Sequence, residues 1–193
     1  MKRIFSILIV SLLLLTACNN SSKEEKAKAD SLAKETDRKR VAEEGKEKVA
    51  EELQKLTPLN EEQLKAKFPG TLMDAPISNL SFSDNMGASV ANADYKINDS
   101  SSVLLTISDC AGPGGAGLYN LQYGGLLEYN TDNDNEYTKV IDFNGSKAIE
   151  FCKKKTVECT FTYFSGGRFL VLLEGNNVSA GELKKIASGL KVK

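Results

Sequence analysis

Hydrophobic and polar positions divide the chain into three regimes. Ile4 to Leu15 is an apolar run broken only by Ser6 and Ser11, and Lys23 to Lys55 is crowded with charge and poor in apolar positions. From Thr57-Pro58 onward the two classes alternate in short segments separated by glycine-rich turns. In this third regime Asn60 followed by Gln63 reads as a capping box for a short helix from Glu61 to Phe68, stopped by Pro69-Gly70. Leu80–Met86 and Ser89–Ile97 flank Gly87 as a hairpin would, and Val103, Leu105 and Ile107 alternate along a third strand.

A helix is expected over Leu118–Tyr129, weakened by Gly124-Gly125. Tyr137, Lys139, Ile141 and Phe143 then alternate up to Asn144-Gly145, a strong hairpin signal. Ala148–Cys152 leads through Lys153-Lys154-Lys155 to Glu158–Phe164. Gly166-Gly167 turns the chain into Arg168–Leu173, whose apolar residues on both faces mark a central strand. Ser179 with Glu182 caps a last helix, on which Leu183, Ile186, Ala187 and Leu190 share one face. The expected order is α-βββ-α-ββββ-α, an α+β fold with a mainly antiparallel sheet backed by helices and preceded by a long charged helix.

The first regime is too short to span a bilayer, which takes about 20 apolar residues. With Lys2 and Arg3 ahead of it, it has the form of a signal-peptide core. It ends in Leu15-Thr16-Ala17-Cys18, which resembles the bacterial lipobox. That resemblance implies cleavage after a 1–17 signal peptide and diacylglyceryl attachment to Cys18, so the protein is anchored to a membrane through lipid. Asn19 to Glu25 resembles the acidic tether signals that send some Bacteroidetes lipoproteins to the cell surface. The other placement is the periplasmic face of the outer membrane.

The second regime, within a tether over 18–56, carries acid-to-base pairs at the favourable i, i+4 spacing: Glu24–Lys28, Asp30–Lys34, Glu35–Lys39, Glu44–Lys48 and Glu51–Lys55. Leu32, Val41, Val49, Leu53 and Leu56 are too sparse for a coiled-coil seam. A solvated helix fits, roughly 50 Å long if continuous at 1.5 Å per residue, and a partly disordered linker is the alternative. Asp30-Ser31-Leu32 resembles a Bacteroidetes O-glycosylation site, a pattern too short to carry weight. Residues 57–193 are long enough for one domain with its own core.

Composition narrows the chemistry. A net charge of −1 offers no basic footprint for nucleic acid, so no nucleic-acid partner is expected. The chain has no His, which removes the commonest general base and a common metal ligand.

"FPGTLMDAPIS", "ISDCAGPGGAGLYNL", "YTKVIDFNGSKAIEFCKK" and "GGRFLVLLEGNNVSAGELKKI" together resemble a group of bacterial exported lipoproteins, of Bacteroidetes type. The element order resembles the PsbP-like fold of photosystem assembly and extrinsic proteins and of some mycobacterial lipoproteins. The resemblance brings no catalytic motif and no ligand.

Gly112, Gly114 and Gly117 match the G-x-G-x-x-G spacing of a dinucleotide loop. That fingerprint needs a βαβ unit and an acid about 20 positions on, whereas hairpins follow here and Asp132 and Asp134 sit in a polar turn. The phosphate loop fails too, with Leu118 where the Lys belongs. The glycines read as a strand-to-helix crossover, and no cofactor is expected. Asn130 to Tyr137 offers oxygen ligands but lacks the Gly and Glu of an EF-hand, so no metal is assigned.

Of the four cysteines, Cys110, Cys152 and Cys159 remain after lipidation. A tight turn at Lys155-Thr156 sets Cys152 opposite Cys159 for a bridge; a pair with Cys110 or three separate thiols are the alternatives. No catalytic residue is assigned. The leading expectation is a non-enzymatic envelope lipoprotein that binds or supports another envelope component. The alternative is a small-ligand module using the face near the glycine loop with Tyr119, Tyr123 and Tyr129; an enzyme built on an unselected carboxylate pair is a third.

Overall fold

The computed structural model describes residues 21–192. The expected signal peptide and the expected lipidation site, Cys18, lie outside the described residues. The chain divides into two compact units, Met1–Gly45 and Lys46–Lys193. Helix α1 (Ser21–Gln54) contributes to both. Within the first unit, Arg40 reaches Asp37 at 3.3 Å and Glu44 at 3.4 Å. The pairs expected at Glu24–Lys28, Asp30–Lys34 and Glu35–Lys39 involve side chains outside those described. In the second unit Lys55 takes Glu52, at 2.6 Å, in place of the expected Glu51.

The second unit is α+β, as the pattern of short alternating segments implies. Its elements are α2 (Glu61–Lys65), β1 (Thr71–Leu72), β2 (Ala75–Asn85), β3 (Ala88–Lys96), β4 (Ser102–Asp109), α3 (Gly112–Gln122), a 3-10 turn over Gly124–Leu126, β5 (Thr131–Asp132), β6 (Glu136–Phe143), β7 (Ser146–Lys153), β8 (Glu158–Ser165), β9 (Phe169–Asn176) and α4 (Ala180–Gly189). The strands form one nine-stranded sheet in the order β1-β2-β3-β4-β9-β8-β7-β6-β5. Every neighbouring pair is antiparallel. The outermost strands, β1 and β5, are two residues long and pair with only residues 75–76 of β2 and 137–138 of β6.

Period-two alternation sends side chains to two separate hydrophobic layers. On one face Val103, Leu105, Ile107, Phe161, Val171 and Leu173 pack with Leu64 of α2 and with Leu183 and Ala187 of α4. On the other, Leu170, Ile149 and the half-buried Phe164 pack with Tyr119 and Tyr123 of the α3 segment and with Leu53 from the end of α1. Leu183, Phe161 and Leu105 are completely buried, each worth about 1.5–3 kcal/mol of apolar burial. The last turns of α1 thus belong to the core: Ala50 is 5% and Leu53 1% exposed.

Local chemistry explains most boundaries. Both capping boxes form, Asn60 with Gln63 and Ser179 with Glu182. Asn144-Gly145 turns with positive φ at both residues, as a type I′ hairpin requires. Helix α3 differs from expectation. It begins at Gly112 and ends at Gln122, so it contains the glycine-rich stretch itself and stops short of Tyr129. Pro113 sits in its first turn, where a missing N–H costs nothing.

Candidate functional site

The glycine-rich stretch is built for close approach. A Cβ at Gly114 would lie 2.2 Å from the carbonyl oxygen of Met86 and 2.7 Å from the carbonyl carbon of Gly87. One at Gly115 would lie 2.4 Å from the carbonyl carbon of Cys110. The β2–β3 turn and the end of β4 therefore occupy the space that side chains would fill. Gly112 needs its freedom for φ of 74°. Gly117, the third glycine of the apparent fingerprint, meets nothing within 4 Å.

Beside this stretch Asp109 is fully buried at the end of β4. Its Oδ1 accepts from Arg168 Nε at 2.7 Å, and its Oδ2 from an Arg168 terminal nitrogen at 2.8 Å. The backbone N–H of Leu59 donates to Oδ2 at 2.7 Å, and that of Ala111 to Oδ1 at 3.2 Å. Arg168 also donates to the Thr57 carbonyl at 2.7 Å, and the pairing raises the guanidinium pKa further. All four carboxylate contacts are internal, so this pair locks the Thr57–Leu59 segment to the sheet.

Cys152 and Cys159, directly opposite in register on β7 and β8, form a disulfide. Tyr137 lies beside it, its hydroxyl donating to Glu150 at 2.7 Å. Burial pushes the Tyr137 phenol up to about 12, with the Glu150 hydrogen bond adding to it. Cys110 is a free thiol, completely buried, and burial pushes it up to about 12. Tyr119 and Tyr123 belong to the core, stacked around Phe164, while Tyr129 is 56% exposed. The three aromatics of the suggested ligand face thus do not converge on one surface.

The Asn130–Tyr137 oxygens are used locally. Asn130 accepts from the Val140 N–H, Asn133 closes a turn on the N–H groups of Asn135 and Glu136, and Asp132 pairs with Lys154 at 2.6 Å. Among the described residues no group of three or more His, Cys, Asp or Glu side chains is placed to hold a metal ion. Nor is any helix among them long and apolar enough to cross a membrane.

Two concave surfaces stand out among the described residues. One, of about 370 Å³, lies on the open part of the sheet around Leu104, Phe151, Thr160 and Glu174. Its polar members include locally paired groups: Lys153 is matched by Glu158, and Asp94 accepts from the Asn79 amide at 3.0 Å. The other, of about 400 Å³, runs between α4 and the β1–β2 hairpin. Pro69, Leu72, Ile186 and Leu190 give it apolar walls, and Thr71, Glu182 and Lys185 are its polar side chains. Glu182 is committed to its cap, accepting from the Ser179 N–H at 2.9 Å and hydroxyl at 2.6 Å, which holds its carboxyl below the usual range. Lys185 is exposed and makes no ion pair among the described residues.

Met73 stands at the lip of this second groove, 46% exposed. It and Asp74 have φ of 50° and 65°, the left-handed pair of a type I′ turn. Asn or Gly is preferred there, and a left-handed non-glycine residue costs roughly 1–2 kcal/mol. Nothing in "LMDA" announces this groove, since the stretch carries neither turn dipeptide nor motif. By its size and apolar walls it is the candidate binding site. Comparison of the chain with protein families, with curated proteins and with solved structures finds no match.

Proposed function

We propose that this protein is a lipid-anchored component of the bacterial cell envelope whose α+β unit is a non-enzymatic binding module. The observation that carries the anchoring is Leu15-Thr16-Ala17-Cys18 directly behind an apolar run with Lys2 and Arg3 ahead of it. Lipid on Cys18 holds the chain at a membrane surface, since each buried methylene contributes about 0.8 kcal/mol. We place it at the outer membrane, on the periplasmic face or the cell surface.

The reading as a binding module is supported by the groove along α4, with its apolar walls, its single uncommitted cation and its exposed, left-handed Met73. This favours a small-ligand role over a purely supporting one, with the site moved from the glycine-rich stretch to the opposite helix layer. Replacing Cys18→Ser should abolish metabolic labelling with a palmitate analogue, and undiminished labelling would remove the anchor. Crosslinking in the native envelope tests the alternative of a protein partner: a recurring crosslinked band would favour the supporting role.

A further inference from the structure

We infer that the groove between α4 and the β1–β2 hairpin takes the hydrocarbon chain of a free fatty acid, with its carboxylate at Lys185; this rests on the domain's reading as a binding module. The walls point to hydrocarbon. Pro69, Leu72, Ile186 and Leu190 offer aliphatic surface, and of the polar side chains Glu182 is already held by Ser179. An extended peptide would bring a donor and an acceptor at every residue, and the apolar walls would leave most of them unpaired. An alkyl chain brings none.

The head group follows from charge. Lys185 is the one uncommitted cation on the lining, exposed and unpaired among the described residues. The Glu182 carboxylate next to it is drawn to the N-terminal end of α4 by its cap. Met73 supplies the adaptable part of the wall. Its thioether side chain is flexible and polarizable, and it is kept at a backbone conformation that Asn or Gly would occupy more easily. A residue held in an unfavourable backbone conformation at the mouth of a groove points to its side chain as the reason. The groove volume of about 400 Å³ lies in the range of small-molecule sites.

The test is calorimetric titration of the full chain carrying Cys18→Ser, which removes any acyl chain of its own, with octanoate, decanoate, dodecanoate and tetradecanoate below their micellar concentrations. Affinity should rise about fourfold for each added methylene until the groove is filled. Lys185→Ala should weaken the carboxylates about two- to fivefold and leave the matching alcohols unchanged. Ile186→Asp should abolish binding. Because that variant can fail to fold, Met73→Asn is the companion: it suits the left-handed turn, so it should melt no lower than the parent while binding about fourfold or more weakly.

No saturable heat, affinity independent of chain length, or full affinity in Met73→Asn protein would each overturn the inference. If fatty acids fail while Cys18-dependent labelling persists, the ligand falls and the anchored reading stands; a recurring crosslink then moves the α+β unit to the supporting role. If labelling and crosslinking fail as well, both fall.

Discussion

Arg168 and Asp109 are joined through two parallel hydrogen bonds, at 2.7 and 2.8 Å, across the end of the sheet where β4 meets β9. The same guanidinium holds the Thr57 carbonyl, and the same carboxylate holds the Leu59 N–H. One ion pair therefore fastens the segment leading out of α1 to two central strands. Arg168→Ala would leave a fully buried carboxylate without its counter-charge, and we expect a loss of about 3 kcal/mol in urea unfolding. Arg168→Lys should recover only part of it, because an ammonium cannot supply the two-pronged geometry. Full recovery by Lys would reduce the pair to simple charge neutralisation.

The glycines of the 112–117 stretch should respond in opposite directions. Gly114→Ala drives a methyl group into the backbone of Met86 and Gly87 and should lower the melting temperature. Gly117→Ala meets open space inside the same helix and should stabilise by about 0.5–1 kcal/mol through reduced backbone entropy. Thermal melts of the two variants decide it; equal effects would mean that close approach is not what keeps Gly114.

Tyr163 packs edge-on against Phe143, and its buried hydroxyl has no hydrogen-bond partner among the described residues. Burial pushes its phenol up to about 12. Tyr163→Phe removes the unsatisfied group at little change in shape, so stability should rise, by about 1 kcal/mol. A loss in chemical denaturation would reveal a partner for that hydroxyl.

Acid should weaken the fold through a small set of carboxylates. The Ser179 hydroxyl lowers the Glu182 pKa, and Lys154, Lys147 and Lys153 lower those of Asp132, Asp142 and Glu158. Each folded-state pKa lies below its unfolded value. The stabilisation is thus complete above about pH 4–5 and is lost as pH falls through the folded values. The urea midpoint should drop between about pH 5 and pH 3, with a shallower slope in Glu182→Gln. A midpoint that rises on acidification would contradict the assignment.

Elements fixed by local chemistry were readable in the sequence. The two capping boxes, the Asn144-Gly145 turn and the alternation along β4 and β6 state their own geometry within a few residues. What escaped depends on residues far apart. The glycines of α3 looked like a loop because their reason lies in the backbone of Met86-Gly87. Leu53 looked like one of a few stray apolar residues on a charged helix, yet it is covered by the layer that holds Cys110 and Tyr119. The groove along α4 needs Leu72 and Ile186 side by side, and only the packing of α4 near the β1–β2 edge of the sheet brings residues so distant in sequence together. The two-residue strands β1 and β5 are too short for any periodicity to show.

The two-layered core also sorts the sulfurs. The Cys152–Cys159 bridge belongs to the layer under α4, and Cys110 to the layer under α3, with the sheet between them. In an oxidising compartment an odd thiol ordinarily invites shuffled bridges and covalent dimers. Exchange requires a thiolate that can reach a sulfur, and here burial keeps Cys110 protonated while a layer of backbone blocks its path. Among the described cysteines, oxidation of the folded chain therefore has a single outcome. Cys110 enters that chemistry only after the sheet has come apart, which makes it a built-in reporter of damaged molecules.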